Sequence, residues 1–319
     1  MWQPCERIGK MKVLITGGAG FIGSNLVRQL VTRKIDVRVI DDLSSGSREN
    51  LAGLDVVFDE ATILDYPALL GTTRGVDAVV HLAAIGSVPR SVAHPRPTHD
   101  ANITGTLNVL EAAREADVPH VIVASSSSVY GANPDLPKNE QMWTRPMSPY
   151  AVTKVATESY AIAYGYSYGL KTLAFRFFNV YGPNQIAGRT YSAVIPQFLD
   201  AAVHNRPLQI HGDGQQSRDF TYVDTVCDVI CDALDRQVSS HSPVNLAMGT
   251  NTNLLDLVDL IQTAVGQPIK KEFMPARVGD IRSSQADSRL LRSLFPQIKA
   301  VGLRDGIGRT LRWFLEQQS

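Results

Sequence analysis

Apolar residues in this chain come in short blocks separated by polar and glycine-rich stretches. Lys12-Val13-Leu14-Ile15-Thr16 is a β-branched run of the kind that forms a strand buried on both faces. Asp36-Val37-Arg38-Val39-Ile40, Val56-Val57-Phe58, Ala78-Val79-Val80-His81-Leu82-Ala83-Ala84 and Val121-Ile122-Val123-Ala124 predict further strands. Between them the apolar spacing changes to that of a helix. Asn25 to Leu30 places Leu26, Val27 and Leu30 on one face. Asn102 to Ala113 predicts another helix, and Gly306 to Phe314 an amphipathic helix that closes the chain. Strands alternating with helices need right-handed crossovers, which give a parallel sheet covered on both faces. The expected class is α/β, and ligands of such sheets bind outside the carboxyl ends of the strands.

The first strand runs into Gly17-Gly18-Ala19-Gly20-Phe21-Ile22-Gly23 and then into the first helix. A strand turning through glycines into a helix gathers free N–H groups at one point. The helix N-terminus adds partial positive charge there, which suits a pyrophosphate. In this reading Gly17 allows the tight turn, Gly20 the approach of phosphates, and Gly23 the close packing of helix on strand. A plain glycine turn is the alternative. Asp41 closes the second strand about twenty residues after the glycines, where a carboxylate can accept from an adenosine ribose and repel a 2′-phosphate. That favours NAD over NADP. The alternative is an aspartate that caps the stretch Leu43-Ser44-Ser45-Gly46.

Composition narrows the partners rather than the fold. The 319 residues are 44% hydrophobic and 19% charged, with Lys+Arg and Asp+Glu both 31. Such neutrality offers no basic field for nucleic acid or an anionic membrane. No run approaches the roughly 20 apolar residues of a spanning helix. Cys5, Cys227 and Cys231 suggest no disulfide framework. Cys227 and Cys231, one helical turn apart beside Val226, Val229 and Ile230, are expected as buried thiols. The histidines form no ligand spacing, and no metal is expected. Residues 1–10 lack an apolar signal core and are expected to be an extension, with Met11 the alternative start. The expected location is cytoplasmic.

Candidate chemistry sits at the end of the strand Val121 to Ala124. Ser125-Ser126-Ser127-Ser128 follows it and precedes Val129-Tyr130-Gly131, the place of an active-site lip; a flexible loop is the alternative. Downstream, Ser148 is a candidate N-cap and Pro149 suits a first helical turn. Tyr150 and Lys154 then share one helix face. An ammonium near a phenol stabilises phenolate and lowers its pKa from about 10. The pair is expected to supply a base near neutral pH.

These residues resemble the extended short-chain dehydrogenase/reductase superfamily, in its nucleotide-sugar epimerase/dehydratase branch. The resemblance rests on Thr16 to Gly23, Asp41-Asp42-Leu43, His81-Leu82-Ala83-Ala84, Asn102 to Thr106, Ser125 to Gly131 and Tyr150 to Lys154. It continues through Arg176 to Pro183, Gly212-Asp213-Gly214, Ser217 to Phe220 and Arg277 to Arg282, and so covers roughly residues 11–313. It implies a Rossmann-type doubly wound parallel sheet with a smaller C-terminal α/β substrate-binding domain. The NAD-binding domain would be 11–178 plus 217–245, and the nucleotide-sugar domain 179–216 plus 246–313. By resemblance the NAD site takes in Gly17, Gly20, Phe21, Ile22, Asp41, Asp42, Ser45, Ile63, Leu82, Ala83, Ala84, Asn102, Ser125, Tyr150 and Lys154. Thr62 departs from the pattern, standing where the family usually has an Asp that caps the adenine amino group. On the substrate side, Asn179, Arg218 and Arg277 would hold a diphosphate, which two guanidinium forks suit. Val194, Gln209 and His211 would flank the pyrimidine, Asp280 the ribose hydroxyls, and Ser87, Ser126 and Ser127 the sugar.

The resemblance also implies the reaction. Dehydratases of this branch carry an acid just after the catalytic Ser or Thr, and this chain has Ser127 and Ser128 there. That leaves reversible oxidation at C4 of a UDP-hexose, with Ser126, Tyr150 and Lys154 catalytic. Gly86 to Ser91, Leu136-Pro137-Lys138 and Arg189 to Pro196 look most like epimerases acting on N-acetylated UDP-hexoses. Ser284 occupies a position that is bulky in enzymes restricted to glucose and galactose, and its small side chain leaves room for an N-acetyl group. UDP-GlcNAc/UDP-GalNAc interconversion is expected, with UDP-Glc/UDP-Gal as a second pair. The alternatives are a UDP-glucuronate 4-epimerase using Arg90 and Arg189, a dehydratase, and a non-catalytic NAD-binding regulator. A homodimer through the Tyr150 helix is the family expectation.

Overall fold

In strand β1 (Lys12–Thr16) the fully buried Val13 and Ile15 belong to one apolar cluster and Leu14, between them, to another. That alternation puts a packed layer on each face of the sheet the strand starts. The computed structural model describes residues 10–186, 193–276 and 282–317. After β1 come α1 (Phe21–Thr32), β2 (Asp36–Asp41), β3 (Val57–Glu60), α2 (Tyr66–Thr73), β4 (Ala78–His81), α3 (Val88–Ala93) and α4 (Pro95–His99). A π-helical turn, Asp100–Thr104, leads into α5 (Gly105–Glu115), followed by β5 (His120–Ser126), α6 (Pro149–Tyr168) and β6 (Lys171–Phe177). The second half holds β7 (Val180–Tyr181), α7 (Val194–Val203), β8 (Leu208–His211), β9 (Ser217–Arg218), β10 (Thr221–Tyr222), α8 (Val223–Arg236) and β11 (Val244–Leu246). It ends with β12 (Thr252–Asn253), α9 (Leu254–Val265), β13 (Lys271–Met274), β14 (Ser283–Ser284), α10 (Arg289–Leu294) and α11 (Leu303–Glu316).

The main sheet has seven strands in the order β11-β6-β5-β4-β1-β2-β3, and every pairing in it is parallel. The winding reverses between β1 and β4, so the crevice at the ends of those two strands is the natural binding place. Leu26, Val27 and Leu30 of α1 and Val226 and Ile230 of α8 cover one face. Leu69 of α2, Leu110 of α5 and Ala161 and Tyr164 of α6 cover the other. Shorter strands build the remainder: β9 pairs with β12 and β14, and β8 with β13. Among the described residues no helix is long and apolar enough to cross a membrane.

Several boundaries differ from the apolar pattern, each for a local reason. The run from Ala78 is a strand only to His81; Leu82 to Ala84 leave the sheet and line the crevice. The strand expected at Val56–Phe58 runs instead from Val57 to Glu60, at the sheet's edge, where half-exposed positions blur the period. The helix expected from Asn102 begins with the π-helical turn, and β5 extends through Ser126, so two of the four serines belong to the strand. Cys227 and Cys231 are buried free thiols on α8.

The glycine turn is a contact between backbones. A Cβ on Gly23 would lie 2.2 Å from the Gly17 carbonyl oxygen, and one on Gly17 2.6 Å from the Ala83 nitrogen, with Gly17 at φ +72. Gly23→Ala should therefore push α1 off the glycine turn and cost roughly 1–3 kcal/mol, as overpacking of a rigid contact does. Urea unfolding measures it; an unchanged midpoint would contradict the close packing.

Candidate active site

Two cavities open on the crevice. The first, of about 840 Å³, is lined by the glycine turn, Asp41 and Asp42, Ala61 to Leu64, Leu82 to Gly86, Ala124 to Ser126, Tyr150 and Lys154. The second, of about 230 Å³, is lined by residues that include Val194, Gln209, His211 and Arg218. Asn179 and Val180 line both, so the two cavities share a wall.

Helix α6 carries Tyr150 and Lys154 and is anchored at its start. Ser148 caps it by accepting from Ala151 N (3.1 Å), with Pro149 at the first position. Tyr150 N donates to Ser91 Oγ (3.0 Å), which ties the first turn of α6 to α3. Thr153 donates to Tyr150 O (2.7 Å) and accepts from Asn102 Nδ2 (2.9 Å). Asn102 in turn accepts from Ile85 N (2.8 Å), so it lies behind the cavity wall and braces the loop that lines it. His81 continues this buried network between Thr16 Oγ1 (2.7 Å) and Thr106 Oγ1 (3.0 Å). Burial, helped by the Lys154 charge, pushes His81 down to about 3, so it stays neutral.

The candidate catalytic side chains follow the strand end. Ser126 Oγ accepts from Ser128 N (3.2 Å) and hydrogen-bonds the Tyr150 phenol. Behind it, Ser125 Oγ donates to Glu158 Oε2 (2.7 Å), and Glu158 pairs with Arg176 at 2.6 Å, both almost fully buried. Lys154 Nζ donates to Ala124 O (2.8 Å) and lies 5.9 Å from the centre of the Tyr150 ring. Burial lowers the Lys154 ammonium to about 8. The expectation that Lys154 lowers the Tyr150 pKa is corrected here. Burial holds the phenol above its ordinary value, and the opposing pull comes from Ser126 rather than from Lys154, whose ammonium is directed at a carbonyl.

The sequence profile of the NAD dependent epimerase/dehydratase family matches residues 13–248. A UDP-glucose 4-epimerase of Mycolicibacterium smegmatis is 38% identical over 311 residues, which span 95% of this chain and 98% of that protein. A probable UDP-glucuronate 4-epimerase of Rhizobium meliloti is 32% identical over 337 residues, with 95% and 97% covered. The solved structure of a UDP-N-acetylglucosamine 4-epimerase from Methanobrevibacter ruminantium M1, in complex with UDP-N-acetylmuramic acid, superposes with a TM-score of 0.92. It is 34% identical and covers 97% of this chain and 100% of that one. The chain belongs to the NAD-dependent epimerase/dehydratase family.

The first cavity fits the family's cofactor. Gly20 is the N-cap of helix α1 and offers no side-chain cap, so the N–H groups of the first turn are open to an anion. A Cβ on Gly20 would meet the Gly17 oxygen at 3.2 Å, a tighter approach than ordinary van der Waals contact. Asp41 accepts from Ala19 N and Leu43 N, both at 2.9 Å. The capping alternative is thus partly realised, yet a carboxylate has about four acceptor sites and keeps capacity for ribose hydroxyls. Burial raises the Asp41 pKa against those two backbone donors.

Of the residues the sequence nominated for the cofactor, Gly17, Gly20, Phe21, Ile22, Asp41, Asp42, Ser45, Ile63, Leu82, Ala83, Ala84, Ser125, Tyr150 and Lys154 line this cavity. Asn102 does not, for the reason given above. The departing residue Thr62 lines it too, and its hydroxyl accepts from Leu64 N (3.3 Å). Asn179, Val194, Gln209, His211 and Arg218 meet in the second cavity. Ser284 is not in either lining but stands opposite Arg218 in the β14–β9 register. Ser87 caps α3 through Arg90 N (3.2 Å) and, like Ser127, is outside both linings. Arg277, Asp280 and Arg189 lie outside the described residues. The sequence reading missed Asn50, whose amide holds Ala19 O (2.8 Å), and the wall formed by Phe177 and Asn184 to Ile186. The Gly182-Pro183-Asn184 turn signal at a strand end was the available clue.

Lys154 makes stability pH-dependent. The folded protein releases this proton near pH 8, while the unfolded chain holds it to the ordinary lysine value of 10.5. The unfolded state therefore binds more protons between those values, and stability rises with pH across that window. Below it the buried charge costs roughly 3 kcal/mol. Lys154→Met should stabilise the cofactor-free protein at pH 7 and flatten the rise from 8 to 10.5, read by denaturant titration. A destabilised variant at pH 7 would contradict the burial cost.

Proposed function

We propose that this enzyme inverts C4 of a UDP-hexose, with UDP-GlcNAc/UDP-GalNAc as its principal pair and UDP-Glc/UDP-Gal as a second. The observation that carries the reading is the meeting of Ser126, Tyr150 and Lys154 on the wall of a cofactor-sized cavity that shares Asn179 and Val180 with a second cavity. A sugar reaching from the second cavity across that wall meets the three side chains.

In this proposal Arg218 and Asn179, with Arg277, hold the diphosphate. Val194, Gln209 and His211 flank the uracil, and Asp280 takes the ribose hydroxyls. Residues 11–178 with 217–245 carry the cofactor, and 179–216 with 246–313 the nucleotide sugar. Bound NAD supplies uptake and return of a hydride, and the positive charge of its oxidised ring favours phenolate. Tyr150 takes the proton of the sugar 4-hydroxyl. Ser126, oriented by Ser128 N, hydrogen-bonds that oxygen, and Lys154 adds positive charge nearby. The 4-ketose turns about its diphosphate linkage before Tyr150 returns the proton to the oxygen at inverted C4.

Two features support epimerisation over elimination of water. Ser127 and Ser128 occupy the slot where an eliminating enzyme needs an acid. The carboxylate nearest in sequence on α6, Glu158, is committed to Arg176 and Ser125. The preference for N-acetylated sugars rests on the small Ser284 beside Arg218. A homodimer is part of the reading, because α6 presents Val152 (49% exposed) and Tyr166 (71% exposed) outward, and α3 presents Val92 (64% exposed).

Tyr150→Phe should lower turnover by about 10²–10⁴-fold, the usual worth of a positioned base, while leaving NAD bound. Full activity in that variant sinks the assignment. Ser284→Tyr should abolish turnover of the N-acetylated pair and spare UDP-glucose; equal loss on both removes the size argument. Wild-type turnover of UDP-glucuronate alone would favour the carboxylated substrate, for which Arg90 on α3 and Arg189 are the candidate cations.

A further inference from the structure

The loop after β7 is fastened to the first helix of the cofactor cavity. Asn25, on the second turn of α1, donates one amide hydrogen to Phe21 O (2.8 Å) and the other to Pro183 O (2.9 Å). Asn184 reaches the same helix, donating to Ser24 Oγ (2.9 Å), a hydroxyl that is fully buried. Asn184 sits at φ +66, a left-handed conformation that asparagine tolerates better than most residues. Gln185 folds back to donate to Val180 O (3.1 Å). Its Oε1 is left buried without a partner among the described residues. Asn184, Gln185 and Ile186 line the first cavity, facing the turn that runs from Gly20 to Gly23. Strand β7 and this loop thus form a bridge: Val180 on the strand belongs to both cavities, and Asn184 on the loop is pinned to α1.

We infer that Pro183 to Ile186 form a strap across the α1 end of the dinucleotide cavity, clasped by Asn25 and Asn184, and that these two amides set how fast the cofactor leaves. The inference rests on the reading that NAD occupies this cavity. An enzyme that returns a hydride to the sugar it came from gains nothing from free exchange of cofactor between the two half-reactions. Slow release is what such a reaction requires, and the clasp supplies a physical cause for it. Neither amide is needed for Tyr150 or Ser126 to act, which separates the strap from the chemistry.

The test is release of NADH from preloaded protein, followed by fluorescence after mixing with excess NAD. Asn25→Ala removes the bond to Pro183; Asn184→Gly keeps the left-handed backbone and removes the bond to Ser24. Each should release NADH about tenfold faster, the order expected for one or two hydrogen bonds lost from the closed state. The melting temperature of the cofactor-free protein is read alongside. Wild-type release rates in both variants overturn the strap. A lowered melting temperature with unchanged release also overturns it, and assigns the amides to bracing the fold. If the wild-type protein binds no NADH at all, the cofactor reading falls and the strap with it.

Discussion

The constraint on which the site depends is the backbone contact at the glycine turn, and much of the site is hung from it. Gly17 N donates to Ile40 O (2.9 Å), Leu82 N to Thr16 O (3.0 Å), and Ser47 N to Ala19 O (3.1 Å). The turn therefore sets the ends of β2 and β4 and the loop after β2 in one place. Helix α1 can approach the turn because Gly23 is bare, and the residues after β4 can approach it because Gly17 is. Once α1 is seated, its open first turn, Asp41 and the residues after β4 converge on a common cavity without further adjustment. The site is formed by the topology of the sheet, at the point where its winding reverses.

A second, polar scaffold aims α6 at that cavity. Its members are mostly threonines, an asparagine and a neutral histidine: Thr16, His81, Thr106, Asn102, Thr153 and Thr157, each buried. Such groups cost stability if unpaired, and here they are linked in series from the glycine turn to the backbone of Tyr150. The arrangement keeps charge out of the support and leaves Lys154 as the cation beside the phenol. Glu158, one turn along α6, is neutralised by Arg176 rather than by Lys154, so the lysine charge is not spent on a carboxylate.

Much of this was legible in the residues. Strands buried on both faces must be nearly all apolar, so β1, β2, β4 and β5 stand out in the chain, and the glycines between β1 and α1 have few other uses. The edge strand β3 was misplaced by a residue or two because an exposed edge does not enforce a period. The π-helical turn before α5 was invisible, since one extra residue in a turn changes hydrogen bonding without changing composition. The role of Asn102 as a brace, and the fastening of Asn184 to Ser24, depend on residues brought together only by the fold. The same is true of the Tyr150 environment: spacing placed Lys154 on the right face, but only the structure shows its ammonium committed to Ala124 O.

The central claim is that the hydride removed from C4 returns to the same sugar. UDP-GlcNAc carrying deuterium at C4, incubated with the protein and NAD in ordinary water, tests it directly by mass spectrometry and NMR of the product. The account predicts UDP-GalNAc that keeps its deuterium at C4. Product that has lost the label to solvent would contradict the account, because the hydrogen would then have left as a proton.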